Sequence, residues 1–276
     1  MKDFAKFKDI STAKRHRARG FSLTEAIMVI VITGILASMV AVFIQKPVQG
    51  FFDTARRAAL VDAADTALRR ISRDLREALP NSVRLNGSIA LEFLHVRSAG
   101  RYREQGPGDI LDFTTADTSF AVLGPPVSVQ SGDSVVVYNL GVSGADAYEG
   151  TSTSRRIANT IGPALTNVGI DLSTPLPLPF PFASPSRRFQ VVDTPVRYVC
   201  SGTQMQRYSG YVIPVTQVAP PVGGAAALIA DKLSSCSFSY APGPTTRDAL
   251  VTLSLALTDG GETVTLVSQV HVNNAP

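Results

Sequence analysis

The sequence predicts an α+β protein, in which one long N-terminal helix packs on an antiparallel, β-rich head. Three observations carry this reading. Residues 21–44 form an uninterrupted apolar run whose single charge is Glu25. An amphipathic helical pattern follows and reaches residue 79. From residue 80 the pattern changes to period two, with β-branched runs and glycine-rich turns. The chain therefore divides into a basic N-terminal peptide at 1–20, a membrane helix at 21–44, an amphipathic continuation of that helix at 45–79, and a head at 80–276.

The overall formal charge of +4 is unevenly distributed. Lys2, Lys6, Lys8, Lys14, Arg15, Arg17 and Arg19, set against Asp3 and Asp9, give the N-terminal peptide +5 and leave the rest at −1. The basic character belongs to that peptide alone. No basic stripe with interleaved aromatics remains, which excludes nucleic acid as a partner.

The apolar run holds 24 residues. As a helix it is about 36 Å long, against a hydrocarbon core of roughly 30 Å. A secretory signal has a shorter apolar region closed by a small-residue cleavage site, and neither feature fits here. The cationic cluster on the N-terminal side places residues 1–20 in the cytoplasm and everything after Ile44 outside, in the periplasm of a two-membrane cell.

Past the membrane, Pro47 is expected to kink the helix or loosen one turn. Leu60, Ala64, Ala67, Leu68, Ile71, Leu75 and Leu79 then recur at helical spacing. Charged residues, Asp74 among them, occupy the remaining faces and read as a solvated surface. Pro80-Asn81 ends the helix.

In the head, segments 89–96, 134–140, 189–200, 204–213, 228–240, 250–257 and 263–272 read as strands. Ser201-Gly202 and Asp259-Gly260-Gly261 read as hairpin turns. Residues 141–166 read as a long loop. Residues 173–185, with prolines alternating with Leu and Phe, read as an extended loop whose Leu176, Leu178, Phe180 and Phe182 pack on the sheet. The two cysteines, Cys200 and Cys236, are too few for a structural zinc site. Outside the cytoplasm they read as one disulfide rather than two unrelated buried thiols.

The run Arg19-Gly20-Phe21-Ser22-Leu23-Thr24-Glu25-Ala26-Ile27-Met28-Val29 resembles the signal of type IV prepilins and type II secretion pseudopilins: a basic leader, Gly, Phe, three residues, then Glu inside an apolar helix. A carboxylate at that depth is costly, so its spacing from a Gly-Phe bond is specific. The resemblance implies a type IV pilin-like fold. It also implies cleavage between Gly20 and Phe21 by a prepilin peptidase, and N-methylation of Phe21. Ser22-x-x-Glu25 also fits a capping box, which by itself does not account for the Gly-Phe junction. Gly34, Ser38 and Ala41 share a helix face that permits close helix approach.

Residues 46–82, Val196-Arg197-Tyr198-Val199-Cys200 and Cys236-Ser237-Phe238-Ser239-Tyr240 resemble the MshO-type biogenesis proteins of MSHA pili. The order of C-terminal strands also resembles the J-type minor pseudopilins of type II secretion. These resemblances imply a minor pilin that initiates or caps an MSHA-like pilus. Its expected partners are the inner membrane, the peptidase, other minor pilins and the major pilin. The alternatives are a type II secretion minor pseudopilin, a tip adhesin whose head meets a surface ligand, and an enzyme or sensor anchored by an uncleaved helix.

Nothing points to an enzyme. His16 lies in the N-terminal peptide, and His95 and His271 read as ordinary strand residues. No metalloprotease, nucleophile-elbow or phosphate-loop motif occurs. Asp109, Asp112, Asp117 and Asp133 are acidic loop residues that lack calcium-loop spacing. No metal or cofactor is expected.

Overall fold

The computed structural model describes residues 20–149, 154–171, 179–217, 221–243 and 248–276; the side chains of Ala41, Val42 and Gln45 lie outside that description. Two compact units divide at residue 53.

Helix α1, Leu23–Arg76, contributes to both. In the first unit its apolar residues are exposed, and it continues through Pro47 without interruption of the element. In the second unit its stripe is buried. Leu60, Ala64, Ala67, Leu68, Ile71 and Leu75 are all nearly inaccessible. Each Leu or Ile so buried contributes about 1.5–3 kcal/mol. Truncating Ile71 to Ala would cost about 2–5 kcal/mol.

The helix ends at Arg76, three residues before the predicted limit. Glu77 and Ala78 make tighter turn bonds to Asp74 and Leu75. The chain then turns to strand pairing: Leu79 donates to Leu94 O at 2.7 Å, and Val96 donates to Glu77 O at 2.9 Å. Strand bonding replaces the helical bonds that Pro80 cannot make.

The head contains β1 (Arg84–Asn86), β2 (Ala90–Tyr102), β3 (Ser119–Leu123), β4 (Val127–Val129), β5 (Ser134–Val137), β6 (Arg155–Ile157), β7 (Gly162–Leu165), β8 (Asn167–Gly169), β9 (Arg188–Ser201), β10 (Gln204–Ser209), β11 (Ala225–Ala230), β12 (Leu233–Ala241), β13 (Ala249–Asp259) and β14 (Glu262–Val272). The main sheet runs β11-β10-β9-β2-β3-β8, with β1 on β2 and β5 between β9 and β6. A second sheet runs β12-β13-β14, and β4 pairs with β7. Every pairing is antiparallel.

The α1 stripe shares one core with both larger sheets. It packs with Leu91 and Phe93 of β2, Val196 and Tyr198 of β9, and Val251, Leu253 and Leu255 of β13. A separate core around Tyr102, Phe120, Val135, Phe180 and Phe189 supports the other end of the main sheet.

Both predicted hairpins form. Asp259 faces Glu262 across Gly260 and Gly261, whose φ values are +56° and +91°. Two successive positive φ angles suit a two-residue turn matched to strand twist, so glycine is the residue that fits. Ser201 faces Gln204 across Gly202 and Thr203.

Segment 228–240 is not one strand. It breaks at Asp231-Lys232, where Lys232 has φ +58°, and its halves join different sheets. The expected loop at 141–166 contains β6 and β7. In the proline-rich loop, Phe180 is buried and Phe182 exposed, while Leu176 and Leu178 lie outside the described residues.

Candidate processing and assembly site

The N-terminal site is built on the start of α1. Gly20, Phe21 and Ser22 precede the first helical residue and are exposed. A peptide bond ahead of a helix can enter a protease cleft without first breaking a helical turn. Ser22 is the cap: its Oγ accepts from the Glu25 amide at 3.2 Å, and its carbonyl accepts from Ala26 at 3.1 Å. The first bond satisfies a donor that a helix start leaves open, and the second is the first bond of the helix itself. Glu25 stands in the first turn, where a carboxylate is favoured by the helix dipole. The Ser22 half of the capping box is thus formed, and Glu25 itself is exposed. Arg19 and the rest of the basic peptide lie outside the described residues.

The helix after Glu25 suits a lipid environment. Leu23–Val40 has a mean hydropathy of 2.2 and no buried residue within the chain. Its hydroxyls are turned inward to the backbone: Thr33 bonds to Val29 O and Ile30 O, and Ser38 bonds to Ile35 O at 2.7 Å. Such bonds leave no hydroxyl requiring water. Gly34 has open space where a Cβ would stand. Gly34 and Ser38 are exposed; the Ala41 side chain is outside the described part.

In the head, Cys200 and Cys236 are joined by a disulfide with their Cα atoms 6.4 Å apart. It links β9 of the main sheet to β12 of the three-stranded sheet, stapling the two layers that flank the helix core.

Sequence reasoning missed three polar clusters. Asp74 is buried, not solvated. Its Oδ2 accepts from Tyr198 OH at 2.8 Å and from Arg207 Nε at 2.7 Å. Burial first, and then the Asp74 carboxylate, push the Tyr198 hydroxyl well above the usual phenol range. The second cluster centres on Glu92, which is fully buried. It accepts from Arg84 at 2.7 Å and from Tyr211 OH at 2.9 Å, with Arg197 at 3.9 Å. Arg84 also stacks 3.5 Å from the Tyr148 ring centre. In the third, His95 Nδ1 meets Asp193 at 2.7 Å and Nε2 meets Glu77 at 3.0 Å. The Asp193 hydrogen bond raises the His95 pKa against its burial.

The four aspartates are used locally. Asp109 accepts from Ser119 and Asn167. Asp112 accepts from Thr114 and Thr115, bonds that hold its carboxyl down at about 2. Asp117 accepts from the Asp112 amide, and Asp133 pairs with Arg97. Among the described residues, no group of three or more His, Cys, Asp or Glu side chains is placed to hold a metal ion.

Against known proteins, residues 15–41 match the family model for the prokaryotic N-terminal methylation motif. No curated protein and no solved structure matches the chain. The matched segment spans the Gly20-Phe21 junction, Glu25, Gly34 and Ser38. That motif family is structural rather than enzymatic. It implies processing by a prepilin peptidase and assembly with other pilins. Together with the apolar helix and the β-rich head, the motif supports a prepilin-type, membrane-anchored pilin or pseudopilin.

Proposed function

We propose that this chain is a minor pilin that helps initiate, or caps, an MSHA-like type IV pilus. The observation that carries the reading is the Gly20-Phe21 junction, set just ahead of a capped apolar helix that bears Glu25 in its first turn. Cleavage there removes a peptide of net charge +5. What remains is a helix able to leave lipid and pack among its copies, with Gly34, Ser38 and Ala41 allowing close approach.

The head supports the minor role. Residues 80–276 form a large, loop-bearing unit, and a shaft subunit must tolerate neighbours on every side. A head of this size is accommodated best where nothing stacks above it. The MSHA-like assignment rests on the resemblance at 46–82, 196–200 and 236–240; the order of C-terminal strands instead favours a type II secretion minor pseudopilin.

Mass spectrometry of the mature N-terminus tests the processing step. We expect a chain beginning at Phe21, methylated, and a Gly20→Leu variant that stays uncut. A mature chain beginning at Met1 would overturn the reading. Counting subunits in sheared filaments tests the minor role, which a copy number equal to that of the major subunit would refute. Co-purification with pilus partners or with secretion-channel partners separates the two assemblies.

A further inference from the structure

The three-stranded sheet has an unprotected edge. Among the described residues, β14 pairs only with β13. Beyond Glu262, which pairs with Arg57 at its start, its residues 263–272 carry no Asp, Glu, Lys or Arg, and Val267 at its centre is 64% exposed. Edge strands are usually short, charged or covered, because open N–H and C=O groups recruit another strand. This one is 11 residues long.

Helix α1 walls that edge without covering it. A groove of about 390 Å³ lies between them, with Leu266, Val267 and Ser268 on one side and Arg69, Arg73 and Arg76 on the other. The three arginines recur at i, i+4 and i+7, one above another. The carboxylate lining the groove is Asp65, 2.7 Å from Arg69. Arg73 is 71% exposed and lies 4.0 Å from Asp74. Asp74 is already bonded to Tyr198 and Arg207. The groove therefore joins an open strand edge to excess positive charge.

We propose that this groove docks an extended acidic segment of a partner protein, added as a further strand on β14 with its carboxylates on Arg69, Arg73 and Arg76. Strand addition gives the affinity through main-chain bonds, and side chains at alternate positions give the specificity. In a strand, side chains on one face recur about every 7 Å. One turn of α1 advances about 5.4 Å, close enough for flexible arginines to meet successive carboxylates. A neutral or basic strand gains the same edge bonds but loses the charge-assisted contacts. This docking needs only α1 and β14, and it holds whether or not the chain enters a filament.

The test uses the full chain in detergent micelles and a fluorescent, end-capped octapeptide of alternating Glu and Val. Its controls are a Lys-Val octapeptide and a Glu-Val octapeptide N-methylated at alternate amides. We expect the Glu-Val peptide to bind and to slow hydrogen exchange within residues 264–270. The exposed double variant Arg73→Glu, Arg76→Glu should weaken it at least tenfold, and the N-methylated peptide should fail. Equal binding of the Lys-Val peptide would overturn the proposal. So would an N-methylated peptide, or phosphatidylglycerol added to the micelles, that engages the arginines as well while leaving β14 amides unprotected.

Discussion

Asp74 of α1 accepts a hydrogen bond from the Tyr198 hydroxyl of β9 at 2.8 Å, on the one helix face that the charge pattern marks as wet. Arg207 of β10 completes the cluster at 2.7 Å. Burial is the largest influence on Arg207 and acts to lower its pKa, but the Asp74 hydrogen bond and charge, with Tyr198, together outweigh it and leave the pKa raised. The cluster ties the helix to two strands of the main sheet. Removing Asp74 takes the acceptor from Tyr198 OH and from Arg207 Nε, although Arg207 keeps its bond to Ser209. Asp74→Ala should therefore destabilise the head by about 1.5–3 kcal/mol. Asp74→Asn should cost less, since it keeps an acceptor for Tyr198. Denaturant unfolding of the full chain in detergent measures both. A loss in Asp74→Ala no larger than that of an exposed-site control such as Asp62→Ala would refute this account.

The Cys200–Cys236 disulfide closes a loop with a sequence separation of 36. In the chain-entropy model such a closure contributes about 3–4 kcal/mol. It also ties together two sheets whose strands form no ladder with each other. Cys236→Ser should lower the thermal midpoint, and reduction of the wild type should lower it to the same value. Free labelling of both thiols in non-reducing denaturant would show that the bond is not made in the cell.

The long-range order of the fold was legible where burial is periodic. Leu60, Ala64, Leu68, Ile71 and Leu75 announce their face by spacing alone, and all are buried. The β13–β14 hairpin announces itself through Gly260 and Gly261. Asp74 was not legible, because its partners Tyr198 and Arg207 lie 124 and 133 residues away. Local charge pattern cannot distinguish a carboxylate facing water from one facing a distant tyrosine. Glu92 was hidden likewise inside a strand reading. The three-residue strands β1, β4, β6 and β8 are too short to show period two. At the processing site the opposite holds. Gly20, Phe21 and Glu25 stand out in the sequence by local spacing, within the motif matched at residues 15–41, and the structure adds the Ser22 cap and the helix start at Leu23.

His95 gives the head a pH dependence. Its pKa is raised from 6.5, first by the Asp193 hydrogen bond and with further help from Glu77. Burial is the largest influence on Asp193 and acts to raise it, but the His95 hydrogen bond and charge, the Thr194 amide and the Arg97 charge together hold Asp193 below its usual value. Arg97, 3.2 Å from Asp193 and 2.8 Å from Asp133, brings a further charge pair to this cluster. A histidine with a raised folded pKa contributes stability that is fully present below the unfolded value near 6.5. That stability is lost as pH rises through the folded value. For Asp193 the sign is opposite, with its contribution lost as pH falls through its depressed value. The wild type should thus lose thermal stability above pH 6.5 relative to His95→Gln, with the difference between them shrinking as the imidazole deprotonates. A difference that stays constant from pH 5.5 to 8.5 would remove His95 as the titrating group.

Glu25 lies five residues into the chain that begins at Phe21. Its backbone is held by the Ser22 cap, so the fold does not require its carboxylate for helix initiation beyond a modest dipole contribution. A carboxylate at that depth in lipid, left unpaired, is expensive. On the proposed processing, cleavage after Gly20 would create a new cation on Phe21, of its own chain or of an adjacent one. Pairing across subunits would neutralise both charges and set the axial register of neighbouring helices. Glu25→Val should leave insertion and cleavage largely intact and strongly reduce crosslinking to partner pilins in intact cells. Glu25→Asp should be milder, since the charge remains and only its reach is shortened. Ser22→Ala is the informative companion, because it removes the cap at a cost of about 1 kcal/mol while leaving the carboxylate in place. If Ser22→Ala abolishes crosslinking and Glu25→Val does not, the helix start, and not the charge, governs assembly.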